Sequence, residues 1–417
     1  MAVPALLLAA AVATFDVDEA TQGALVEDHR APVVEIAIEF PAGTWSPWVR
    51  AHHGEEAFSF QDDDPVRSLR KRADALAASI DLDMGNRSAS LKIRCLKADL
   101  GATLSLAHEI LSNTRYDPHE LKRARRQQSI EWRGHETDVS FRIAQETARS
   151  LFAPDDPRRL AYEKPEPVGT DVAELVASRD VLIRLPGRII GFAGDLTLEE
   201  ARHAADGLLP APLSAAPDGI QPAFSALTPP ASRAKAHSVE IRRLTQVYFA
   251  LMRDSLPWND PRRPEFLVAD HVLGGHFYSR LYVALRHEAG DTYGAGTRER
   301  GDVVVGSYAA TTFTRAENAE VIEAKLREVI ARLQKEGIKE NERAAAISYL
   351  RGHRAFDRQS AGQILRRFLT ERRLGLAPGY LDELIERAGA ASLDDINSYI
   401  RDYFDPARFS MIRAVSE

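Results

Sequence analysis

The hydrophobic pattern of this chain alternates between a period of two and a period near 3.6. "APVVEIAIEF" at 31–40 and "TQVYFALM" at 245–252 alternate like half-buried strands, and each opens one half of the chain. Two later stretches run from alternation directly into an amphipathic helix. In "SLKIRCLKADLGATLSLAHEILSN" at 90–113, Leu100, Leu104, Ala107 and Leu111 share a helical face. In "VGSYAATTFTRAENAEVIEAKLREVIARLQKEG" at 305–337, Val321, Leu326, Val329, Ile330 and Leu333 do the same. Each stripe predicts a helix packed against the sheet its own strand enters.

Between the halves, residues 206–236 hold six prolines among small residues, with no sustained period, which predicts a Pro/Ala-rich linker. The halves also echo one another at a fixed offset. "ELKRARRQQ" at 120 faces "ENERAAAIS" at 340, and "GRIIGFAGD" at 187 faces "ARFSMIRAV" at 407, both 220 positions apart. A shared offset at two distant places predicts a duplicated α+β domain. The predicted boundaries are a signal-like segment at 1–14, a first domain at 15–205, the linker at 206–236 and a second domain at 237–417.

Composition narrows the chemistry. A net charge of -7 leaves no polybasic field for nucleic acid. The single cysteine, Cys95, excludes a disulfide framework and a Cys-rich metal site. In "SASLKIRCL" it shares a face with Leu91 and Ile93, so it is expected to be a small buried hydrophobe. At the start, "MAVPALLLAAAVATF" sets an apolar run before Ala11, Val12 and Ala13, like the core and cleavage site of a secretory signal, although no Lys or Arg precedes the run. A mis-assigned start or a buried first segment is the other reading. No later run is long enough to span a membrane. The expectation is an exported, periplasmic protein, with a cytoplasmic location as the alternative.

The second half contains "DHVLGGHFYSRLYVALRHEAGDTYGAG" at 270–296, which places Arg286 seven positions before Tyr293. On its own this pair reads as an exposed helix arginine and an amphipathic tyrosine at a strand start. The whole segment, however, resembles the LGG-x-x-x-SRL-x-x-x-LR-x6-Y-G pattern of the pitrilysin and insulinase-like zinc metallopeptidases, including the mitochondrial processing peptidase type. "LTQVYFAL", "EDHRAPVVEIAIEFPAG" and "GFAGDLTLEEA" extend the resemblance in family order over most of the chain. It implies two homologous α+β domains, each an antiparallel-rich sheet with helices packed on one face. It also implies that Arg286 and Tyr293 contact the backbone or terminus of a peptide substrate, across a cavity from a zinc site in another domain or subunit. A guanidinium offers a fork of donors to a carbonyl or carboxylate, and a phenol can donate to a developing oxyanion.

Active relatives carry HxxEH on a first-half helix, two His ligands four residues apart with a general-base Glu, and a distal Glu as third ligand. This chain has no HxxEH. At the matching place "WVRAHHGEEAF" offers His52, Glu55 and Glu56 at the first, fourth and fifth positions, with Glu where the second His belongs. Glu131 lies 75 positions past Glu56, near the family spacing for the distal ligand, while Ala124 stands where a supporting Glu would be. A His52, Glu56, Glu131 site is chemically possible, but two carboxylates make metal-bound water a poorer acid, and loss of the supporting group weakens such sites about 10- to 100-fold. His271 and His276, five apart, do not share a helical face as a metal pair would. No G-x-S-x-G elbow or phosphate-loop glycine pattern occurs.

The expectation is therefore that no catalytic residue, metal ligand or cofactor resides in this chain. It would be the zinc-less subunit of a heterodimeric peptidase, with zinc in an HxxEH-bearing partner. Two alternatives stay open: a self-sufficient peptidase using the His/Glu/Glu set, and a scaffold like the core subunits of respiratory complexes.

Overall fold

The structure, a computed structural model, describes residues 12–59, 71–112, 118–167, 171–227, 236–288, 290 and 292–417. The chain forms two compact units that interleave along the sequence. The first is Met1–Ser129, Pro165–Ala223 and Ala355–Pro378; the second is Ile130–Lys164, Phe224–Arg354 and Gly379–Glu417.

The first unit is built on a six-stranded sheet of β1 (Ala13–Asp18), β2 (Thr21–Glu27), β3 (Val33–Phe40), β4 (Ser79–Met84), β5 (Ala89–Leu96) and β6 (Arg188–Gly194), in the order β1-β2-β6-β3-β5-β4. Only β2 and β6 pair in parallel. The alternation in β3 and β5 works as read: Val34, Ile36 and Ile38 pair with Cys95, Ile93 and Leu91, and all six are buried on one face. Burial also pushes the Cys95 thiol pKa up. Against that face pack the helices Leu100–Ser112, Val172–Ile183 and Leu198–Ala205, through residues such as Leu111, Leu182 and Ala201.

The second unit repeats the plan. Its sheet holds β7 (Ala236–Ile241), β8 (Val247–Asp254), β9 (Ala295–Arg300), β10 (Ser307–Thr314) and β11 (Ser410–Ser416), in the order β7-β11-β8-β10-β9, again with one parallel pair, β7 and β11. Strand for strand, β2-β6-β3-β5-β4 corresponds to β7-β11-β8-β10-β9, so the duplication inferred from the 220-residue offset reappears as a repeated topology. Its main core sets Phe249, Leu251 and Tyr308 against the helices Arg263–Gly274, Ala319–Glu336 and Leu393–Tyr403.

Each sheet is also covered on its second face, by a helix from the other half of the sequence. Ala361–Arg373 lays Leu365, Phe368 and Leu369 on Ala24, Val26 and Ala193 of the first sheet. Val139–Leu151 lays Ala148 and Leu151 on Ala250, Met252, Ile412 and Ala414 of the second. The physical reason lies in the strands: β6 and β8 are apolar almost without interruption, as strands buried on both faces are. At one contact the packing is close enough that a Cβ on Gly191 would sit 2.6 Å from Leu365 Cδ1, so that leucine would have to shift.

Two details depart from the periodicity reading. In Ala319–Glu336 the buried stripe runs through Ile322, Leu326, Val329, Ile330 and Leu333, while Val321 is 52% exposed. At about 100° per residue, Ile322 rather than Val321 continues the 326/329/333 row. In Leu100–Ser112, Ala107 and Leu111 are buried, but Leu100 and Leu104 only partly.

The proline-rich stretch runs from 206 to 227 without helix or strand. Ile220 enters the first unit's core, and five residues on Ser225 is fixed in the second unit, where the Asp156 carboxylate accepts from its N–H at 2.9 Å and its hydroxyl at 2.7 Å. Arg158 pairs with that buried Asp156 at 2.6 Å. Of the signal-like segment, residues 1–11 lie outside the described residues, and Ala13 already pairs with Leu25. No described helix is long and apolar enough to cross a membrane.

Candidate functional site

The region matching the zinc box is two short helices rather than one. Ser46 caps Pro47–Ala51 by accepting the Val49 N–H at 3.3 Å, and the helix ends at His52. His53 then adopts the left-handed region, φ 50°, and a new helix, Gly54–Ser59, starts after it. An i, i+4 ligand pair needs an unbroken helix to stack its side chains, and here the break falls between His52 and Glu56. Each is also engaged elsewhere. His52 packs its ring 4.7 Å from that of Trp48, and its carbonyl accepts from Ser178 Oγ at 2.7 Å. Glu56 Oε1 accepts from Gln128 Nε2 at 3.0 Å.

Glu131 is an exposed residue of the helix Pro118–His135 and falls in the second unit, whereas His52 and Glu56 belong to the first. Burial pulls the pKa of half-buried Arg50 down, against the opposing effect of the Glu55 charge. Among the described residues no three His, Cys, Asp or Glu side chains group so as to hold a metal. The residues at this place do not fit the family's zinc site.

The Arg/Tyr segment is built with more support. The helix Arg263–Gly274 is tied to the sheet at both ends. Arg263 forms a two-pronged pair with Glu299 of β9, at 2.5 and 2.6 Å, and Tyr308 of β10 donates to Asp270 at 2.8 Å. Desolvation raises the pKa of the partly buried Asp270, so this acid resists ionisation. Gly274 ends the helix where a Cβ would lie 2.6 Å from the Thr297 backbone nitrogen, which accounts for the first glycine of "LGG". Ser279 caps the next turn, and Arg280 clamps Glu342 at 2.8 and 2.7 Å and the Gly337 carbonyl at 2.8 Å. The "SRL" motif is thus a structural brace.

Arg286 follows in a π-helical stretch, Val283–Glu288. Its Nη1 donates to the Tyr282 hydroxyl and to the Tyr293 carbonyl, the latter at 3.0 Å, and its guanidinium carbon lies 5.1 Å from the centre of the Tyr282 ring. Tyr293 is anchored on both sides, because the Gly294 carbonyl accepts from Thr292 and from Thr312 of β10, each at 3.0 Å. Its ring is 76% exposed. The structure therefore brings Arg286 and Tyr293 together through the tyrosine backbone. It leaves the arginine's Nε and Nη2 without a partner among the described residues. That edge is the one that binds a carbonyl or carboxylate in two-pronged fashion.

Tyr282, which orients Arg286, was not singled out by sequence reasoning. Its position four residues earlier on the same helical face was the available signal. The helix Arg263–Gly274 ends between His271 and His276, so the two share no helical face, as their spacing predicts. The turn at Gly275 brings their rings to 4.4 Å, while His271 stacks on Tyr349 at 4.4 Å. Burial, with His276 adding to it, pulls the His271 pKa down to about 4.

Residues 189–350, which include Arg286 and Tyr293, match the family described as peptidase M16 inactive domain. No curated protein matches the chain. Among solved structures, the peptidase M16 inactive domain from Pseudomonas fluorescens is 19% identical, with a TM-score of 0.82, covering 98% of this chain and 98% of that one. A protease from Helicobacter pylori is 12% identical, with a TM-score of 0.80 and coverage of 97% and 99%. The periplasmic protease PqqL from Escherichia coli is 13% identical, with a TM-score of 0.73, covering 97% of this chain and 46% of that one. At these identities the likeness is one of fold. The family resemblance drawn from "LGG", "SRL" and the Arg/Tyr positions stands, on the side of the inactive domain.

Proposed function

We propose that this chain, whose residues 189–350 match the peptidase M16 inactive domain, is the zinc-less subunit of a heterodimeric metallopeptidase. Arg286 and Tyr293 hold the peptide, and a separate HxxEH-bearing subunit supplies zinc, base and water. The observation that carries this reading is the paired geometry of Arg286, with its Nε and Nη2 edge unpartnered among the described residues, beside the exposed phenol of Tyr293.

The roles follow from donor chemistry. The guanidinium edge takes a substrate carbonyl or terminal carboxylate, with its orientation fixed by the Tyr282 hydroxyl and the Tyr293 carbonyl. The phenol donates to charge developing on a carbonyl oxygen. Removing one such donor typically costs about 10²- to 10³-fold in rate. The break at His53 supports leaving water activation to the partner, because it interrupts the helix that an i, i+4 ligand pair would share. An exported, periplasmic location accompanies this reading through the apolar run before Ala11, Val12 and Ala13; cell fractionation of the tagged full chain tests it.

The central test is reconstitution. The isolated chain is expected to leave a reporter peptide intact, and its mixture with the HxxEH-bearing subunit to cleave it. Arg286→Ala in the mixture should lower kcat/KM about 100-fold, and Tyr293→Phe about tenfold or more. Turnover by the isolated chain that disappears in Glu55→Gln would establish the self-sufficient alternative. Unchanged activity of the mixture in the double variant would leave only a scaffold role.

A further inference from the structure

We infer that the first unit carries a pocket for a small carboxylate on a short apolar body, of the kind a peptide presents at its C-terminal residue, with Arg372 and Arg373 as the anion-holding groups. The pocket measures about 180 Å³. Drug-sized ligands occupy about 300–1,000 Å³, so this one suits a group the size of a single residue.

Three guanidiniums, those of Arg87, Arg372 and Arg373, line the pocket against one carboxylate, Glu39. Arg372 is exposed, and its side chain has no hydrogen-bond or ion-pair partner among the described residues. Arg373 reaches Thr370 Oγ1 at 3.3 Å and stands 3.7 Å from Glu39 Oε2, too long for a hydrogen bond. That same Glu39 oxygen already accepts from Ser88 Oγ at 2.6 Å. Glu39 is thus shared between Ser88 and an ion pair with Arg373, and it leaves the Arg372 guanidinium without a partner among the described residues. The remaining wall includes Ile189, Ile220 and Leu369, which suit an aliphatic body next to the charged end.

One effect opposes an anion here. Arg372 and Arg373 end their helix, where backbone carbonyls carry partial negative charge. Those carbonyls are already covered, because the Leu374, Gly375 and Leu376 N–H groups bond to Thr370, Arg372 and Glu371. A charge-assisted guanidinium fork outweighs what is left of the dipole.

The site is assembled from both halves of the sequence, since the helix Ala361–Arg373 brings its arginines to a pocket otherwise formed by residues 39–222. It lies in the first unit, while Arg286 and Tyr293 lie in the second, so it stands or falls independently of the peptidase-subunit reading.

The test is calorimetric titration of the full chain with N-acetyl-alanyl-leucine as the free acid, as its C-terminal amide, and with inorganic phosphate. The expected result is that the acid binds and that the amide and phosphate bind at least about tenfold more weakly. Arg372→Gln should weaken the acid about tenfold with an unchanged thermal midpoint, because that guanidinium has no partner to lose. Arg372→Lys should fall between the two. Equal binding of acid and amide, phosphate binding as tightly as the acid, no heat with acid up to about 10 mM, or an Arg372→Gln protein with full affinity would each overturn the assignment.

Discussion

His271 shows how one buried side chain couples this fold to pH. Its imidazole sits between His276 and Tyr349 with its pKa held at about 4, below the ordinary 6.5, so the fold favours the neutral ring. A depressed pKa of this kind contributes stability that is complete above about pH 6.5 and is lost as pH falls towards about 4. Urea unfolding should therefore show a loss of about 2 kcal/mol between about pH 7.5 and pH 5 from this group. His276, also shifted down by burial, acts in the same direction. In His271→Phe the difference should shrink; an unaltered pH slope would refute the assignment. Arg179 is the other residue on which much depends. It is fully buried and donates to the carbonyls of Ala57, Phe58 and Ile110, at 3.2, 3.1 and 2.7 Å, which joins the ends of two helices. Arg179→Met should lower stability by about 3–5 kcal/mol, read as a fall in urea midpoint, because buried acceptors lose their donor. Neither role could be read from the sequence. Cys95 could, because its alternation with Leu91 and Ile93 is a local property, whereas the contacts of His271 and Arg179 depend on residues up to about 120 positions away.

At the scale of elements, the strands were legible and the helices largely so. β3, β5 and β8 fall where alternation placed them, and the 319–336 stripe was misread only at Val321. What periodicity could not show was the covering of the second sheet faces, because the helices responsible lie in the other half of the sequence from the strands they cover. Nor could it show the break at His53: a non-glycine residue at positive φ carries no pattern, and no proline marks it. That break falls between His52 and Glu56, which spacing alone left a plausible pair. The exchanged helix can be tested by cavity formation. Leu365 is buried over Gly191, and Leu365→Ala should cost about 2–5 kcal/mol in chemical unfolding. A loss below about 0.5 kcal/mol would mean the helix is not docked there in solution.

For the whole molecule, the repeated strand order explains why a 220-residue echo survives in a sequence whose halves otherwise look unlike. The interleaving makes neither half sufficient by itself. Residues 1–223 produced alone would lack Ala361–Arg373 and leave Ala24, Val26 and Ala193 uncovered. That fragment is expected to aggregate or bind a hydrophobic dye, and co-expression with residues 224–417 to restore a soluble complex; a well-folded monomeric fragment would contradict the packing described. The same arrangement bears on how the protein is made. β6 leaves the ribosome at Gly194, but the helix that shelters it begins at Ala361. At roughly 5–20 residues per second, the nascent first sheet waits roughly ten to thirty seconds with one oily side bare. A chaperone that holds growing chains would find its natural client in that interval.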